Sequence, residues 1–96
     1  MKRHQKYIDE LIAVVLKVSS DKQFLHDFLA DLLTPKELEE MAIRWQIIKQ
    51  LDREVPQWEI VKNLKVGVNT VTRGMRTLYN QQGGFNRALR LKAGRS

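Results

Sequence analysis

"QWEIVKNLKVGVNTVTRGMRTL", Gln57 to Leu78, is the stretch whose reading decides the fold. Its second half sets Val68, Val71, Met75 and Leu78 at i, i+3, i+7 and i+10, the spacing of a helix with one apolar face. The other faces carry Asn69, Thr70, Thr72, Arg73, Arg76 and Thr77, which offer hydrogen bonds and positive charge but no acid. The first half, Gln57 to Leu64, reads as a short helix with Trp58, Ile60, Val61 and Leu64 apolar. "KVG", Lys65 to Gly67, joins the two as a tight turn, with Gly67 expected to take the positive φ such a turn requires. A short helix, a tight turn with glycine and a polar-faced helix make the pattern of a helix-turn-helix. In that motif the first helix braces across the nucleic-acid backbone and the second offers its N-terminal residues to base edges in the major groove. Gly74 interrupts the second helix at a cost of about 1 kcal/mol against alanine. A close approach to the backbone is the expected gain.

Charge points the same way. Residues 1–56 carry nine Lys/Arg against ten Asp/Glu, whereas residues 57–96 carry eight Lys/Arg against Glu59 alone. A basic C-terminal half favours a polyanionic partner such as double-stranded DNA.

Toward the N-terminus, "TPKE" is a helix start: Thr34 as N-cap, Pro35 in the first helical position and Glu37 in the third. The helix behind it runs to about Leu51, with Leu38, Met41, Ala42, Trp45, Ile48 and Leu51 turned inward, and "DREVPQ" breaks it. Phe24, Leu25, Phe28, Leu29, Leu32 and Leu33 form another stripe, preceded by "SSD", which stops one helix and caps the next. Ile8, Leu11, Ile12, Val15 and Val18 form the first stripe, and Ala13, Val14 and Leu16 make that helix apolar nearly all round. In so short a chain the natural cover for it is a partner subunit. Beyond "NQQGG", Phe85 to about Leu91 forms a last short helix, and "KAGRS" reads as frayed.

The 96 residues bound the chain to a single domain (1–96), with a dimerisation core over 1–52, the helix-turn-helix over 57–79 and a C-terminal helix over 84–92. No cysteine is present, so disulfides and thiolate metal sites are excluded. The longest apolar run, Leu11 to Leu16, is too short for a membrane span. "MKRHQKY" lacks the features of a signal peptide, and a cytoplasmic protein with no membrane partner is expected. His4 and His26 fall on separate helices, with no triad or metal spacing, so no catalytic or metal site and no enzymatic activity are expected.

Two segments, "LLTPKELEEMAIRWQIIKQL" (32–51) and Gln57 to Leu78, resemble the tryptophan repressor family. They hold its "LTP" helix start and "TxTRG" recognition-helix signature and cover a little under half of the chain. The resemblance implies an all-α, intertwined six-helix homodimer with a helix-turn-helix head in each subunit, reading a palindromic operator. It also implies L-tryptophan as corepressor, a small amino-acid ligand seated in a cleft between the third helix and the recognition helix, with a wall from the partner subunit. No other cofactor is expected.

Carried over residue by residue, the resemblance places the Arg44 guanidinium on one face of the indole and that of Arg73 on the other, pairing with the carboxylate. Arginine suits both tasks, since its planar group stacks on rings and forks onto carboxylates. Thr70, Gly74 and Thr77 form one stripe of the recognition helix, where glycine lets a flat ring approach. Thr34 supplies a hydroxyl near the carboxylate and Ile47 part of the apolar floor. Each has a plainer explanation: Arg44 as a surface pair with Glu40 or Asp31, Arg73 as a phosphate contact, Gly74 as a helix–helix contact, Thr34 as a cap. For DNA, Asn69, Thr72, Arg73 and Arg76 share a stripe, and Val68, Asn69 and Thr70 open the helix where base edges are nearest. Gln57, Lys62, Lys65 and Arg76 suit backbone contacts.

Four departures stand out. Trp58 and Val61 occupy positions where the family usually has basic side chains, and the link before that helix is one residue shorter. Met75 replaces a small polar residue beside the cleft. Asp31 replaces an apolar residue in the partner-derived wall, where its carboxylate either approaches the ligand ammonium or pairs with Arg44. The rival readings are a repressor-like DNA binder with another ligand or none, and a non-DNA interaction module.

Overall fold

In a computed structural model, which describes residues 3–92, the chain forms six helices and, among the described residues, no strand. They are α1 (Arg3–Val18), α2 (Lys22–Leu32), α3 (Pro35–Asp52), α4 (Gln57–Leu64), α5 (Val68–Thr77) and α6 (Gly84–Lys92). The chain divides into two compact units, Met1–Glu39 and Glu40–Ser96.

In the first unit, the three residues between α1 and α2 are polar and local in their bonding. The Ser19 hydroxyl donates to the Leu16 carbonyl at 2.9 Å, closing α1. The Asp21 carboxylate accepts from the N–H groups of Gln23 (2.9 Å) and Phe24 (3.2 Å), satisfying donors that the first turn of α2 leaves open. α2 ends at Leu32, and Leu33 is its extended cap. The turn into α3 is a reciprocal capping box: Thr34 N–H donates to Glu37 at 2.9 Å, and Glu37 N–H donates to the Thr34 hydroxyl at 3.1 Å. Along α1 in the single chain, Ile8, Leu11 and Ile12 of the apolar row are 38–53% exposed, Val15 is half-buried and Val18 buried, while Tyr7 and Leu16 beside the row are 60% and 70% exposed.

In the second unit, Ile47 of α3, Ile60 of α4 and Val71 of α5 form a buried cluster, wrapped by Ile43, Leu51, Val55, Val61, Leu64 and Val66. Sequence periodicity turns Met41 and Ala42 inward, yet Met41 is 44% exposed and the buried pair is Ile47 and Ile48. Val61 is half-buried against the cluster, so here an apolar residue extends the core of this unit.

Both ends of α4 are set by backbone geometry. α3 closes through Glu54, a left-handed residue at φ 62°, with Val55 N–H reaching the Gln50 carbonyl at 3.0 Å. Pro56 then caps α4, whose own end is taken by Lys65 in the left-handed region (φ 54°, ψ 47°). The expectation for Gly67 therefore needs correction. Its φ is −76° in an extended conformation that opens α5, and the reversal falls two residues earlier, directly after the last turn of α4. α5 ends at Thr77, with Leu78 as its cap, slightly before Tyr79.

α6 is tied to the end of α5 by Asn86. Its side-chain amide donates to the carbonyls of Leu78 (3.1 Å) and Asn80 (2.8 Å). No described helix is long and apolar enough to cross a membrane.

Candidate ligand cleft and nucleic-acid face

Within the second unit, α3, α5 and α6 enclose a cleft of about 300 Å³, at the small end of the range for small-molecule sites. α3 contributes Arg44, Ile47 and Ile48; α5 contributes Thr70, Arg73, Gly74 and Thr77; α6 contributes Phe85. Helical periodicity explains the set. Arg44, Ile47 and Ile48 follow i, i+3, i+4 on α3, and Thr70, Arg73, Gly74 and Thr77 follow i, i+3, i+4, i+7 on α5.

The floor is apolar, because Ile47 and Ile48 are each 1% exposed. The rim is cationic and polar: Arg44, Arg73, Thr70 and Thr77 are all solvent-exposed. No carboxylate lines the cleft among the described residues, and no ion pair joins Arg44 to Glu40 there. The arrangement can take a flat apolar body on the isoleucines and direct guanidinium donors at an anionic group. The Thr77 hydroxyl donates to the Gly74 carbonyl at 2.6 Å, which leaves its lone pairs as acceptors.

Gly74 has a packing cause on its α3 side. A Cβ there would lie 3.3 Å from Ile47 Cγ2, 3.4 Å from Ile48 Cδ1 and 3.6 Å from Leu51 Cδ1. The glycine thus lets α5 approach α3 and keeps the cleft floor open. These two consequences share one cause, and together they offset its poor helix propensity.

Thr34 and Asp31 belong to the first unit. The Thr34 hydroxyl is engaged in the capping box, and Asp31 is exposed on α2. Met75 does not line the cleft. Its sulfur accepts from the Gln57 side-chain amide at 3.6 Å, a contact joining α4 to α5. Gln57, expected on the DNA backbone, is half-buried with that amide turned to Met75. Phe85 is the cleft residue that sequence reasoning missed. An aromatic after "GG" carries no spacing signal toward a site on other helices; only the return of the chain after α5 brings it there.

The α4–α5 pair also exposes polar side chains, and two of them, Thr70 and Arg73, line the cleft as well. Asn69, Arg73, Arg76, Lys62 and Lys65 are exposed, as is Thr70, while Thr72 is half-buried and bonded to the Val68 carbonyl at 3.0 Å. Two apolar side chains of these helices are open as well: Val68 is 57% exposed and Trp58 69%.

A family model described as Trp repressor protein matches residues 6–93. The chain belongs to the Trp repressor family. This is a family of transcriptional repressors, regulators that in general take tryptophan as corepressor. The chain is similar to a Trp operon repressor homolog of Mannheimia succiniciproducens, 35% identical over 79 residues that cover 81% of this chain and 73% of the relative. A Trp operon repressor homolog of Actinobacillus succinogenes is 47% identical over 53 residues, covering 54% and 52% of the two chains. One from Haemophilus influenzae is 39% identical over 61 residues, covering 62% and 60%. The chain thus spans about 60% of the length of the first curated relatives it matches. No solved structure matches it.

Proposed function

We propose that the chain acts as a homodimeric, tryptophan-responsive repressor that binds a palindromic operator more tightly when L-tryptophan fills the cleft. The observation that carries this is the cleft itself: two arginines from different helices stand above a floor of buried isoleucines, and one of those helices is also the candidate reading helix. A planar indole lies on Ile47 and Ile48, between the guanidinium groups of Arg44 and Arg73. The ligand carboxylate accepts from Arg73, and Thr70 and Thr77 offer hydroxyls nearby. The described lining holds no carboxylate for the ammonium. Asp31 of a second subunit, as a carboxylate, suits that task.

α4 and α5 act as a helix-turn-helix head. Asn69, Thr70 and Val68 meet base edges, whereas Lys62, Lys65 and Arg76 meet phosphates. Because the ligand touches α3 and α5 together, it favours the tilts of the head in which that contact is made. Two heads then fit grooves about 34 Å apart. Coupling of this kind is typically on the order of 1–3 kcal/mol, or roughly 5–150-fold in operator affinity.

The test is selection of binding sites from random duplex DNA, followed by mobility-shift titrations with and without L-tryptophan at several salt concentrations. The expected result is an enriched palindrome, tighter binding with ligand, and affinity that falls steeply with salt. A palindrome bound equally with and without tryptophan removes the ligand response; no enriched sequence removes the operator.

A further inference from the structure

Among the described residues, Phe85 is the one that α6 supplies to the cleft. Its ring is half-buried and stands 6.2 Å from that of Trp45 on α3, tilted by 38°. That is within the distance at which aromatic rings pack favourably. The helix that carries it is tied down by side-chain bonds just after it. Asn86, its neighbour, is bonded to the Leu78 and Asn80 carbonyls, and Arg90, one turn further on, donates to the Gln81 carbonyl at 3.3 Å. Phe85 is therefore a held ring, backed by Trp45, presenting its free surface to the cleft.

We propose that Phe85 is a ligand-contacting, specificity-determining residue: the aromatic wall that limits the ring system the cleft accepts. The proposal rests on the reading of the cleft as a site for an aromatic amino acid. The guanidinium planes on α3 and α5 take any flat ring between them, and the rim hydroxyls and charges meet groups that every amino acid shares. Discrimination among ring systems falls to the floor and to this wall. Ile47 and Ile48 are buried in the packing of α3, so they set the depth of the cleft. Phe85 closes it laterally, with a flat surface that suits another ring.

The experiment is calorimetric titration of the full chain and of Phe85→Ala with L-tryptophan and with its 4-, 5-, 6- and 7-methyl derivatives. Shortening the wall removes a ring–ring contact, and L-tryptophan should bind about tenfold more weakly. The space opened should admit a methyl group, so for at least one derivative the affinity relative to L-tryptophan should rise by about tenfold over the parent chain. A loss that is proportional for all five ligands would mean that Phe85 only supports the fold and overturns the proposal, as would unchanged affinities. Should Phe85→Ala fail to fold, Phe85→Leu keeps the packing against Trp45, and the same ratio decides. If the parent chain binds none of the five, the reading of the cleft falls and this proposal with it. Binding by the parent chain with unaltered ratios in the variant removes this proposal alone.

Discussion

The two units of the chain bury apolar surface to very different degrees. Glu40–Ser96 has a cluster in which Ile47, Ile60 and Val71 are at most 1% exposed, with six further apolar side chains packed around it. Among the described residues of Met1–Glu39, Val18 alone is buried, while Leu16, Tyr7, Phe24 and Ile12 stand more than half open. The exposed stripe on α1 runs along one long helix, and isolated helices of such length are marginal in water without a partner face. The lesson is a division of labour: one unit has a buried core within a single chain, and the other leaves open the apolar surface that the proposed dimer would cover.

The strongest way to break this contrast is to place a charge in the open stripe. Ile12→Glu is expected to abolish the dimer in sedimentation equilibrium and to lower the unfolding temperature. The unaltered chain should unfold at a temperature that rises with protein concentration, as linked association requires. A concentration-independent unfolding temperature, or a variant that sediments like its parent, would show that the α1 stripe has another use.

Next in size is a deletion in the second unit. Ile60 is fully buried, so Ile60→Ala should cost roughly 2–5 kcal/mol in denaturant titration. Because Ile60 joins α4 to α5 and α3 through the cluster, operator binding should fall with stability, while the oligomeric state stays as in the parent. A cost below about 1 kcal/mol would mean that the head is not held by this cluster.

Much of this division was legible from residue order. The start of α3 followed from Thr34, Pro35 and Glu37, because a capping box is local chemistry. The bounds of α4 followed from Pro56 and the length of the apolar pattern. Arg44 with Ile47, and Thr70 with Arg73, Gly74 and Thr77, could be set on common faces by helical spacing, and the family resemblance paired the two faces. Phe85 could not be placed in this way. Its position depends on hydrogen bonds from Asn86 to carbonyls six and eight residues away, and backbone acceptors leave no mark in the sequence. The link between α4 and α5 misled for a related reason: a glycine in a short turn attracts the positive φ in any reading, yet the structure gives that conformation to a lysine.

That lysine supplies the smallest effect and the sharpest one. A non-glycine residue in the left-handed region costs roughly 1–2 kcal/mol, and glycine loses part of that advantage to its freer unfolded chain. Lys65→Gly should therefore raise unfolding stability by about 0.5–1 kcal/mol in denaturant titration. The same change removes an exposed cation beside the start of α5. If Lys65 meets a phosphate, the slope of log affinity against log salt should shrink by about 1 while base preference is kept. Lys65→Arg separates the two effects, since it keeps the charge and the strained conformation and should leave both quantities near the parent's. A gain in stability with an unchanged salt slope would take Lys65 off the DNA. No gain at all would mean that the neighbours of Lys65, and not its own backbone preference, set the end of α4.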